Sequence, residues 1–545
     1  MKLDRIEITG FRGIKRLSLA FDDLSTLIGE NAWGKSSLLD ALSVAFPPDN
    51  QPYMFTKHDF HLDHATSHPM SSHLQIVTRW IESYPEEHKA GRYRKLHPLW
   101  STATKANKKK SLHYRLSATL SDNKVETHYV FLDHNGEVLP TSNTDVLVKE
   151  LVGLHPVIRL RDSRRLQDHH SPDQLPNSRM ERRINNTCRR LISTPGHVND
   201  GEIRSSMNAM ESLIDHYFAF KPHNRQRSKQ IHDGLYFGRM TETSQLRHIV
   251  TKGQDKQIKL LLLGLLNAYL RAKGPTVLRR SARPILLIED PEGRLHPTML
   301  SQAWSLLLQI PMQKILTTNS SDLLTTVPLS SLRRLIRQSD RTIALSINNK
   351  VLSNDELRRI TFHVRFHRPG ALFARCWLLV EGETEVWLFN ELGRICGYNF
   401  AAEGVQIIEF AQSGLRSLIK IAKALHIDWH VVSDGDAAGK KYSHTARSLL
   451  GTEQERHRLT QLPEKDIEHF LYKNGFESLF RKLANISPDH TIPAKKVITK
   501  ALKKHAKPDV ALSIVEYSEQ NGVESIPLLI RWTLKRVVSM AKGNT

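Results

Sequence analysis

GENAWGKS, residues 29–36, decides the fold of the first part of this chain. An apolar run, Leu24–Ile28, precedes it, and a helical pattern, Ser36–Ala45, follows it. A strand before and a helix after are the context in which the pattern G-x-x-x-x-G-K-S binds phosphate. Glycines let backbone N–H groups wrap the phosphates, and the helix amino terminus adds a dipole that favours an anion. The stretch therefore predicts an α/β domain with a nucleotide-binding loop.

Each position of this loop has an expected role. We expect Lys35 to reach the β- and γ-phosphates of ATP and Ser36 to ligate Mg²⁺. The other nucleotide-binding positions share the same loop, and they are Gly29, Asn31, Gly34 and Ser37.

An acidic strand end further along the chain fits the same site. The apolar run Ile285–Ile288 stops at Glu289 and Asp290. We expect Glu289 to hold Mg²⁺, directly or through water, and Asp290 to polarise the attacking water. An ordinary acidic strand terminus before a turn is the alternative, and the phosphate-binding loop in the same chain weighs against it.

Two more acidic strand ends predict a second site. EGETE, residues 381–385, follows the apolar run Trp377–Val380, and DGD, residues 434–436, follows His430–Val432. Acidic residues at the carboxyl ends of two strands gather in the crevice where an open α/β sheet binds ligands. Clustered carboxylates repel one another unless a cation neutralises them, and their hard oxygens suit Mg²⁺ or Mn²⁺.

The composition favours a polyanionic partner, DNA in particular. The 545 residues include 78 Lys and Arg against 56 Asp and Glu, a net charge of +22, and the pI is about 9.8. A merely basic protein is the alternative, but the basic residues are locally clustered, at residues 108–110, 159–165, 179–190 and 495–507. The basic helix at 179–190 could equally be the solvated face of a dimer helix.

The cysteines and the hydropathy indicate the compartment. Three scattered cysteines have no metal-binding spacing, which argues against zinc and against a disulfide framework. No apolar run is long enough to span a bilayer. We therefore expect a cytoplasmic protein with no membrane partner.

The patterns divide the chain into three predicted regions. Residues 1–368 form the first, which opens with a hairpin, contains a polar helical arm at about 165–250 and ends with a β-rich stretch from 332 to about 365. Residues 369–480 alternate strands and helices, which suggests a parallel sheet. Residues 481–545 are basic and helical.

The first region resembles ABC-type ATPases of the SMC and RecF kind. PEGRLHP, residues 291–297, is similar to the segment that follows the acidic strand in that family. VTKGQ, residues 250–254, stands where the family has its Leu-Ser-Gly-Gly-Gln signature, so the resemblance implies that Thr251, Gly253 and Gln254 contact the ATP of a second subunit in a homodimer.

Two departures from that family predict slow ATP hydrolysis. The acidic pair is Glu289-Asp290, whereas the common order is Asp-Glu, so the shorter Asp290 would sit farther from its water. Asn319 stands where the family has a histidine that senses the γ-phosphate. An amide can hydrogen-bond there but cannot carry charge.

The second region resembles a Toprim domain, on LLVEG at 378–382 and VSDGD at 432–436. Glu385, one turn after Glu381, adds an acid typical of the OLD family of ATP-dependent nucleases. ABC-type ATPase followed by Toprim is that family's domain order, and the chain is most similar to its YbjD-like branch. The implied metal ligands are Glu381, Glu385, Asp434, Asp436, Asp466 and Glu468.

The same resemblance implies catalytic roles. Glu381, Asp434 and Asp436 would act at the metals, and Lys507 would stabilise charge on the scissile phosphate. Asp466 stands where the family often has serine. Two metals could activate water on one side and stabilise the leaving oxygen on the other.

The sequence thus predicts an ATP-binding, metal-dependent DNA endonuclease that nicks or cleaves phosphodiesters, with phage defence and DNA repair both open as roles. The alternative is an ATP-gated DNA clamp or repair mediator that does not cut. A topoisomerase-like strand passer would need a nucleophile such as Tyr442, and the sequence around it gives little support.

Overall fold

The computed structural model describes residues 1–63, 70–102, 109–121, 124–160, 178–218, 256–293, 297–310, 312–347, 352–362, 368–487 and 490–543. The chain forms two compact units, Met1–Leu345 and Ser346–Thr545. Both are α/β, as predicted. The finer domain limits at 368/369 and 480/481 stay predictions.

A twelve-stranded sheet is the frame of the described first unit. Its order is β5-β6-β4-β1-β2-β12-β11-β3-β10-β9-β8, and β7 pairs with β6. The strands are β1 (Lys2–Phe11), β2 (Ile14–Ala20), β3 (Leu24–Ile28), β4 (His73–Ile81), β5 (Ser101–Thr102), β6 (Lys110–Ser121), β7 (Lys124–Leu132), β8 (Val157–Leu160), β9 (Ile285–Glu289), β10 (Gln313–Thr317), β11 (Leu332–Arg337) and β12 (Thr342–Leu345).

The antiparallel part of the sheet contains the predicted hairpin. β1 and β2 are antiparallel, with Ile6 opposite Leu19, and the alternating apolar residues of both strands lie in the core. Gly10 at the end of β1 has a φ of +67°, and a Cβ there would come within 2.4 Å of the His73 carbonyl oxygen. Glycine is therefore required where the hairpin meets β4.

The parallel part of the sheet positions the nucleotide site. β3, β9 and β10 are almost wholly buried, as expected for parallel strands covered on both faces. Thr317 pairs with Leu27 of β3 on one side and with Glu289 of β9 on the other. The phosphate-binding loop after β3 and the acidic end of β9 therefore lie at the same edge of the sheet.

The helices of the first unit are α1 (Lys35–Ala45), α2 (Thr144–Leu154), α3 (Arg179–Ser193), α4 (Asp200–Phe218), α5 (Lys256–Lys273), α6 (Pro297–Gln309) and α7 (Ser321–Leu324). α3 and α4 fall in the predicted helical arm, and the rest of that arm, to residue 250, lies outside the described residues. α5 is the predicted apolar helix.

The prediction of a β-rich stretch to about residue 365 is wrong after β12. The described residues form a helix there, α8 (Asn354–Ile360). Its start is set by a reciprocal cap, since the Ser353 N–H donates to Glu356 Oε2 at 2.8 Å and the Glu356 N–H donates to Ser353 Oγ at 3.3 Å.

The second unit is built on a parallel sheet of order β14-β13-β15-β16. Its strands are β13 (Cys376–Val380), β14 (Val405–Glu409), β15 (Asp428–Ser433) and β16 (Leu459–Gln461). After α8 its helices are α9 (Glu383–Ile395), α10 (Phe400–Glu403), α11 (Leu415–Ala424), α12 (Ala437–Ser448), α13 (Glu455–Arg458), α14 (Ile467–Leu471), α15 (Glu477–Ala484), α16 (Ala494–Lys504), α17 (Lys507–Asn521) and α18 (Leu528–Ala541).

The three helices of the basic tail are part of the second unit's core. Val497 of α16, Ile514 of α17 and Leu534 of α18 are buried in one apolar cluster with Leu378 of β13. The tail is thus basic on its outside and apolar on its inside. Among the described residues, no helix is long and apolar enough to cross a membrane.

Candidate functional site

The phosphate-binding loop between β3 and α1 depends on two glycines. Gly29 and Gly34 have φ values of +147° and +94°, which L side chains rarely adopt. A Cβ at Gly29 would come within 2.8 Å of the Leu335 carbonyl oxygen, and one at Gly34 within 3.1 Å of Ile14. Backbone conformation and close packing therefore both select glycine.

Lys35 lies inside this loop. Its Nζ donates to the Gly29 carbonyl oxygen and to Asn319 Oδ1, the latter at 3.0 Å. Burial lowers the pKa of Lys35, and the charges of Asp290 and Glu292 oppose that effect. The amine is therefore already positioned among acceptors that phosphate oxygens could replace.

Asn319 links the loop to the edge of the sheet. Its Nδ2 donates to Asn31 Oδ1 at 3.4 Å, and its N–H donates to Glu292 Oε1 at 2.7 Å. Ser36 is exposed. The Ser37 hydroxyl instead accepts from the Gly13 N–H at 3.3 Å.

Glu289 is paired with an arginine that sequence reasoning missed. Arg159 Nε and Nη2 lie 2.9 and 2.8 Å from Glu289 Oε2, and the two side chains are only 9% and 7% exposed. Arg159 begins the basic cluster at 159–165, but its guanidinium is buried and paired with acids. β8 runs parallel to β9 with Arg159 opposite Leu287, and so the arginine is directed into a buried ion pair.

The charges beside Glu289 continue as an alternating chain. Arg159 also pairs with Asp40 of α1, Asp40 pairs with Arg12, and Arg12 pairs with Asp59 at 2.9 Å. Asp59 is 1% exposed, so its carboxylate needs this partner. This series of ion pairs ties the acidic end of β9 to α1 and to the turn between β1 and β2.

Asp290 follows the end of β9 and is held beside Thr317 of β10. Its φ is +41°, an uncommon conformation for a residue with a side chain and one that clusters at functional sites. The Thr317 hydroxyl donates to Asp290 Oδ1 at 3.1 Å, and the Asp290 N–H donates to the Thr317 carbonyl oxygen at 3.1 Å. These bonds hold the carboxylate close enough to oppose the lowered pKa of Lys35.

The structure gathers most of the predicted nucleotide-binding residues at one edge of the sheet: Gly29, Asn31, Gly34, Lys35, Ser36, Ser37, Glu289, Asp290 and Asn319. Thr251, Gly253 and Gln254 lie outside the described residues, so their role stays a prediction. Glu292, Arg159 and Asp40 join the site without having been predicted in it.

The second site lies where β13 and β15 end side by side. The strands pair in parallel, so Glu381 and Asp434 follow them at the same edge. Two glycines allow the tight turn after β15: a Cβ at Gly435 would come within 2.4 Å of the Glu464 carbonyl oxygen, and one at Gly439 within 2.0 Å of the Asp434 carbonyl oxygen. Sequence reasoning missed Gly439.

The carboxylates of this crevice repel one another. Burial raises the pKa of Asp434 to about 8, and four other acids add to the effect, namely Glu385, Glu381, Asp466 and Glu468. Burial also raises the pKa of Glu385 to about 7, although backbone hydrogen bonds act against it. Strongly raised carboxyl pKa values in a cleft are typical of functional sites.

Glu381 and Glu385 differ in the hydrogen bonds that their carboxylate oxygens accept. Glu385 Oε2 accepts from the N–H groups of Glu381 and Gly382, at 2.8 and 3.2 Å. Glu381 Oε2 is buried and has no hydrogen-bond partner. An orphaned carboxylate oxygen is costly, and a cation would satisfy it.

The remaining predicted ligands have partners of their own. Asp436 caps α12, its Oδ1 accepting from the Gly439 N–H at 2.7 Å. Asp466 caps α14 and pairs with His469. Glu468 Oε1 lies 3.3 Å from Lys507 Nζ, so the predicted catalytic lysine does reach the acids.

This donor set fits a divalent cation in its chemistry. The donors are carboxylate oxygens, one of them is an orphan, and burial with mutual repulsion raises the pKa of the central acids. In the part of the chain that the structure describes, no three His, Cys, Asp or Glu side chains are already grouped as metal ligands. The roles of the individual acids stay predictions.

Comparison with known proteins identifies the family. Residues 1–371 match the family model "Protein of unknown function (DUF2813)". Residues 372–436 match "Overcoming lysogenization defect protein-like, TOPRIM domain". Over 558 residues that span both chains completely, the sequence is 42% identical to "Uncharacterized protein YbjD" of Escherichia coli. The chain belongs to the OLD family, in its YbjD-like branch. The predicted resemblance is confirmed, and the Toprim match follows the match of the first region, in the predicted order.

Two solved structures are also similar to parts of the chain. The C-terminal region of the Burkholderia pseudomallei OLD protein is 17% identical, with a TM-score of 0.25, and covers 31% of this chain and 99% of its own. The SMC head domain from Thermotoga maritima is 10% identical, with a TM-score of 0.32, and covers 64% of this chain and 100% of its own.

The Arg159–Glu289 pair predicts a large, residue-specific loss of stability. Arg159→Leu should lower the free energy of unfolding by about 3–5 kcal/mol, because it leaves buried carboxylates unpaired. Adding Glu289→Gln should recover part of the loss. Urea denaturation without nucleotide measures both, with the exposed Arg16→Leu as control. Equal losses for Arg159→Leu and Arg16→Leu would contradict the pairing.

The raised pKa of Asp434 predicts how the acidic crevice responds to pH. The folded pKa of about 8 lies above the ordinary 3.8, so the folded state binds the proton more tightly. Stability is therefore lost as pH rises from about 4 to about 8. In EDTA at pH 8, Asp434→Asn should raise the melting temperature by about 2–4 °C for each kcal/mol relieved.

A matched control makes that test specific. Glu383→Gln removes a neighbouring carboxylate that is 75% exposed, and it should leave the melting temperature nearly unchanged. Adding Mn²⁺ should stabilise the wild type and Glu383→Gln, because a ligand that binds the folded state stabilises it. If Asp434→Asn lowered the melting temperature at pH 8, repulsion among the acids of the crevice would not be what destabilises the folded state.

Proposed function

We propose that the chain is an ATP-binding, divalent-metal-dependent DNA endonuclease. The observation that carries this proposal is the acidic crevice after β13 and β15, where burial and four neighbouring acids raise the pKa of Asp434 to about 8. The family model for the OLD-like Toprim domain covers both strand ends. The net charge of +22 suits a polyanionic substrate such as DNA.

The chain's own residues would prepare the crevice for phosphodiester hydrolysis. Two Mg²⁺ or Mn²⁺ ions, when bound, supply an activated water and stabilise the leaving oxygen. The residues that would hold them are Glu381, Glu385, Asp434, Asp436 and Glu468, with Asp466 at the margin because His469 already occupies it.

Lys507 would act on the substrate. Although burial lowers its pKa, the charge of Glu468 raises it, so the amine stays protonated beside the acids. Its side chain is 64% exposed and so can turn from Glu468 toward a phosphate. Positive charge there would stabilise the transition state, where negative charge accumulates.

The first unit would bind ATP between two copies of the chain. Lys35 and Ser36 would hold the phosphates and Mg²⁺, Asp290 would orient water, and the segment 250–254 would come from the second copy. Hydrolysis would be slow, because Asn319 carries no charge and Asp290 is one methylene shorter than glutamate. Light scattering with and without ATP would test the homodimer.

The nuclease proposal predicts that the acidic crevice cuts DNA. Supercoiled plasmid with Mg²⁺ or Mn²⁺ and ATP should be nicked by the wild type and by Glu383→Gln, whose side chain is 75% exposed two residues after Glu381. Glu381→Gln and Asp434→Asn should each reduce nicking by at least about 100-fold, as expected when a catalytic metal site loses a ligand. Absence of nicking by pure wild type, or full nicking by both acid variants, would refute the proposal.

A separate variant isolates the ATP site. Lys35→Ala should abolish ATP binding in a fluorescent-nucleotide assay, because the amine that reaches the phosphates is gone. Its melting temperature without nucleotide should stay close to that of the wild type, since Lys35 donates only to two neutral acceptors, the Gly29 carbonyl oxygen and Asn319 Oδ1. If Lys35→Ala binds ATP normally, the nucleotide site lies elsewhere. Plasmid nicking by this variant then shows whether cleavage needs ATP.

The second candidate is an ATP-gated DNA clamp or repair mediator that does not cut. It is favoured by one observation: among the described residues, no three potential ligands are already grouped for a metal. Such a clamp would bind DNA in an ATP-dependent way. Its acid variants would bind DNA like the wild type, and neither the variants nor the wild type would cut it. The plasmid assay separates the two candidates.

Strand passage by Tyr442 has little support. Burial raises the pKa of Tyr442, and the charges of Glu381 and Asp436 raise it further. A phenol whose pKa is raised is a poorer nucleophile at neutral pH than an ordinary tyrosine.

A further inference from the structure

Helix α16 has one apolar face and one wholly exposed face. Val497, Ile498 and Ala501 are buried in the core of the second unit. At about 100° per residue, the exposed positions fill the opposite half of the helix. They are Lys495, Lys496, Thr499, Lys500, Lys503 and Lys504, and we call them the lysine face. It carries five positive charges and no negative one.

The lysine face has no counter-charge of its own. Some other lysines of the second unit do pair with acids, as Lys420 does with Glu356 and Lys473 with Glu464. Among the described residues, none forms an ion pair with any of the five lysines. Lys500 lies one turn from both Lys496 and Lys504, and like charges at that spacing repel. A polyanion bound along the face would remove this cost.

The carboxyl end of the lysine face leads to a residue of the acidic crevice. α16 packs against α14, the helix that carries Glu468. Three residues beyond the end of α16, Lys507 Nζ lies 3.3 Å from Glu468 Oε1. A strand of phosphates that follows the face would therefore arrive at the lysine and the carboxylates of the crevice.

We propose that the lysine face binds the phosphate backbone of double-stranded DNA and leads it to the acidic crevice. This rests on the proposed function of the crevice. The eleven residues of α16 span about 16 Å, and one DNA strand presents a phosphate about every 3.4 Å along its axis, so about five phosphates match five lysines. Contacts from lysines to backbone phosphates carry no sequence information, so we expect binding here to be independent of sequence.

The test measures DNA binding apart from cleavage. The full-length protein in EDTA is titrated against a fluorescent 25-base-pair duplex over a range of salt concentrations. The double variant Lys500→Gln with Lys504→Gln should bind at least about tenfold more weakly near 0.1 M salt, and its plot of log K against log salt should be shallower by about 2, or 0.9 for each lost phosphate contact. A duplex of unrelated sequence should show the same loss.

A control variant with the same change in net charge makes the result specific. Lys149→Gln with Lys535→Gln removes two exposed lysines from other helices, α2 and α18, and should leave the affinity and the salt slope close to those of the wild type. Equal effects of the two double variants, or an unchanged slope for Lys500→Gln with Lys504→Gln, would overturn the inference. If the wild type nicks plasmid while Lys500→Gln with Lys504→Gln binds DNA like the wild type, the endonuclease proposal survives. Only the proposed role of the lysine face is then wrong.

Discussion

Carboxylates that follow buried parallel strands need a counter-charge or hydrogen-bond donors, and both candidate sites depend on how these are supplied. The edge of a parallel sheet collects whatever follows its strands. In the first unit, β9 brings Glu289 and Asp290 there, and in the second, β13 and β15 bring Glu381 and Asp434. The two units offset these charges in different ways.

In the first unit the protein supplies its own counter-charge. Arg159 pairs with Glu289 and Asp40, and Thr317 donates to Asp290. The carboxylates of Glu289 and Asp290 at the predicted nucleotide site therefore have partners within the chain. In the second unit Glu381 Oε2 has no partner, and the pKa of Asp434 rises to about 8. That crevice holds unrelieved repulsion, which is what a site for a divalent cation needs if binding is to be favourable.

The parts of these sites that the sequence predicted are those that depend on local pattern. The phosphate-binding loop and the acidic strand ends each occupy one short stretch, and strand period and glycine position place them at the sheet edge. The buried ion pairs could not be predicted in this way, because Arg159 lies 119 residues from Asp40 and 130 from Glu289. The error at helix α8 has another cause, because the capping pair Ser353 and Glu356 can be read from the sequence. The cap favours a helix there, against the strand preference of the β-branched residues around it.

The same distinction explains what the high net charge means. A charge of +22 counts Arg159, which is paired with Glu289 and Asp40, together with Lys500, which forms no ion pair among the described residues. A cation without a partner can neutralise a phosphate, and so add to DNA affinity, without first breaking an ion pair. Lys507 stands between the two cases, because it is paired with Glu468 yet still 64% exposed. An amine that shares its charge with the crevice and remains free to move is suited to meet a phosphate at the place where the carboxylates act on it.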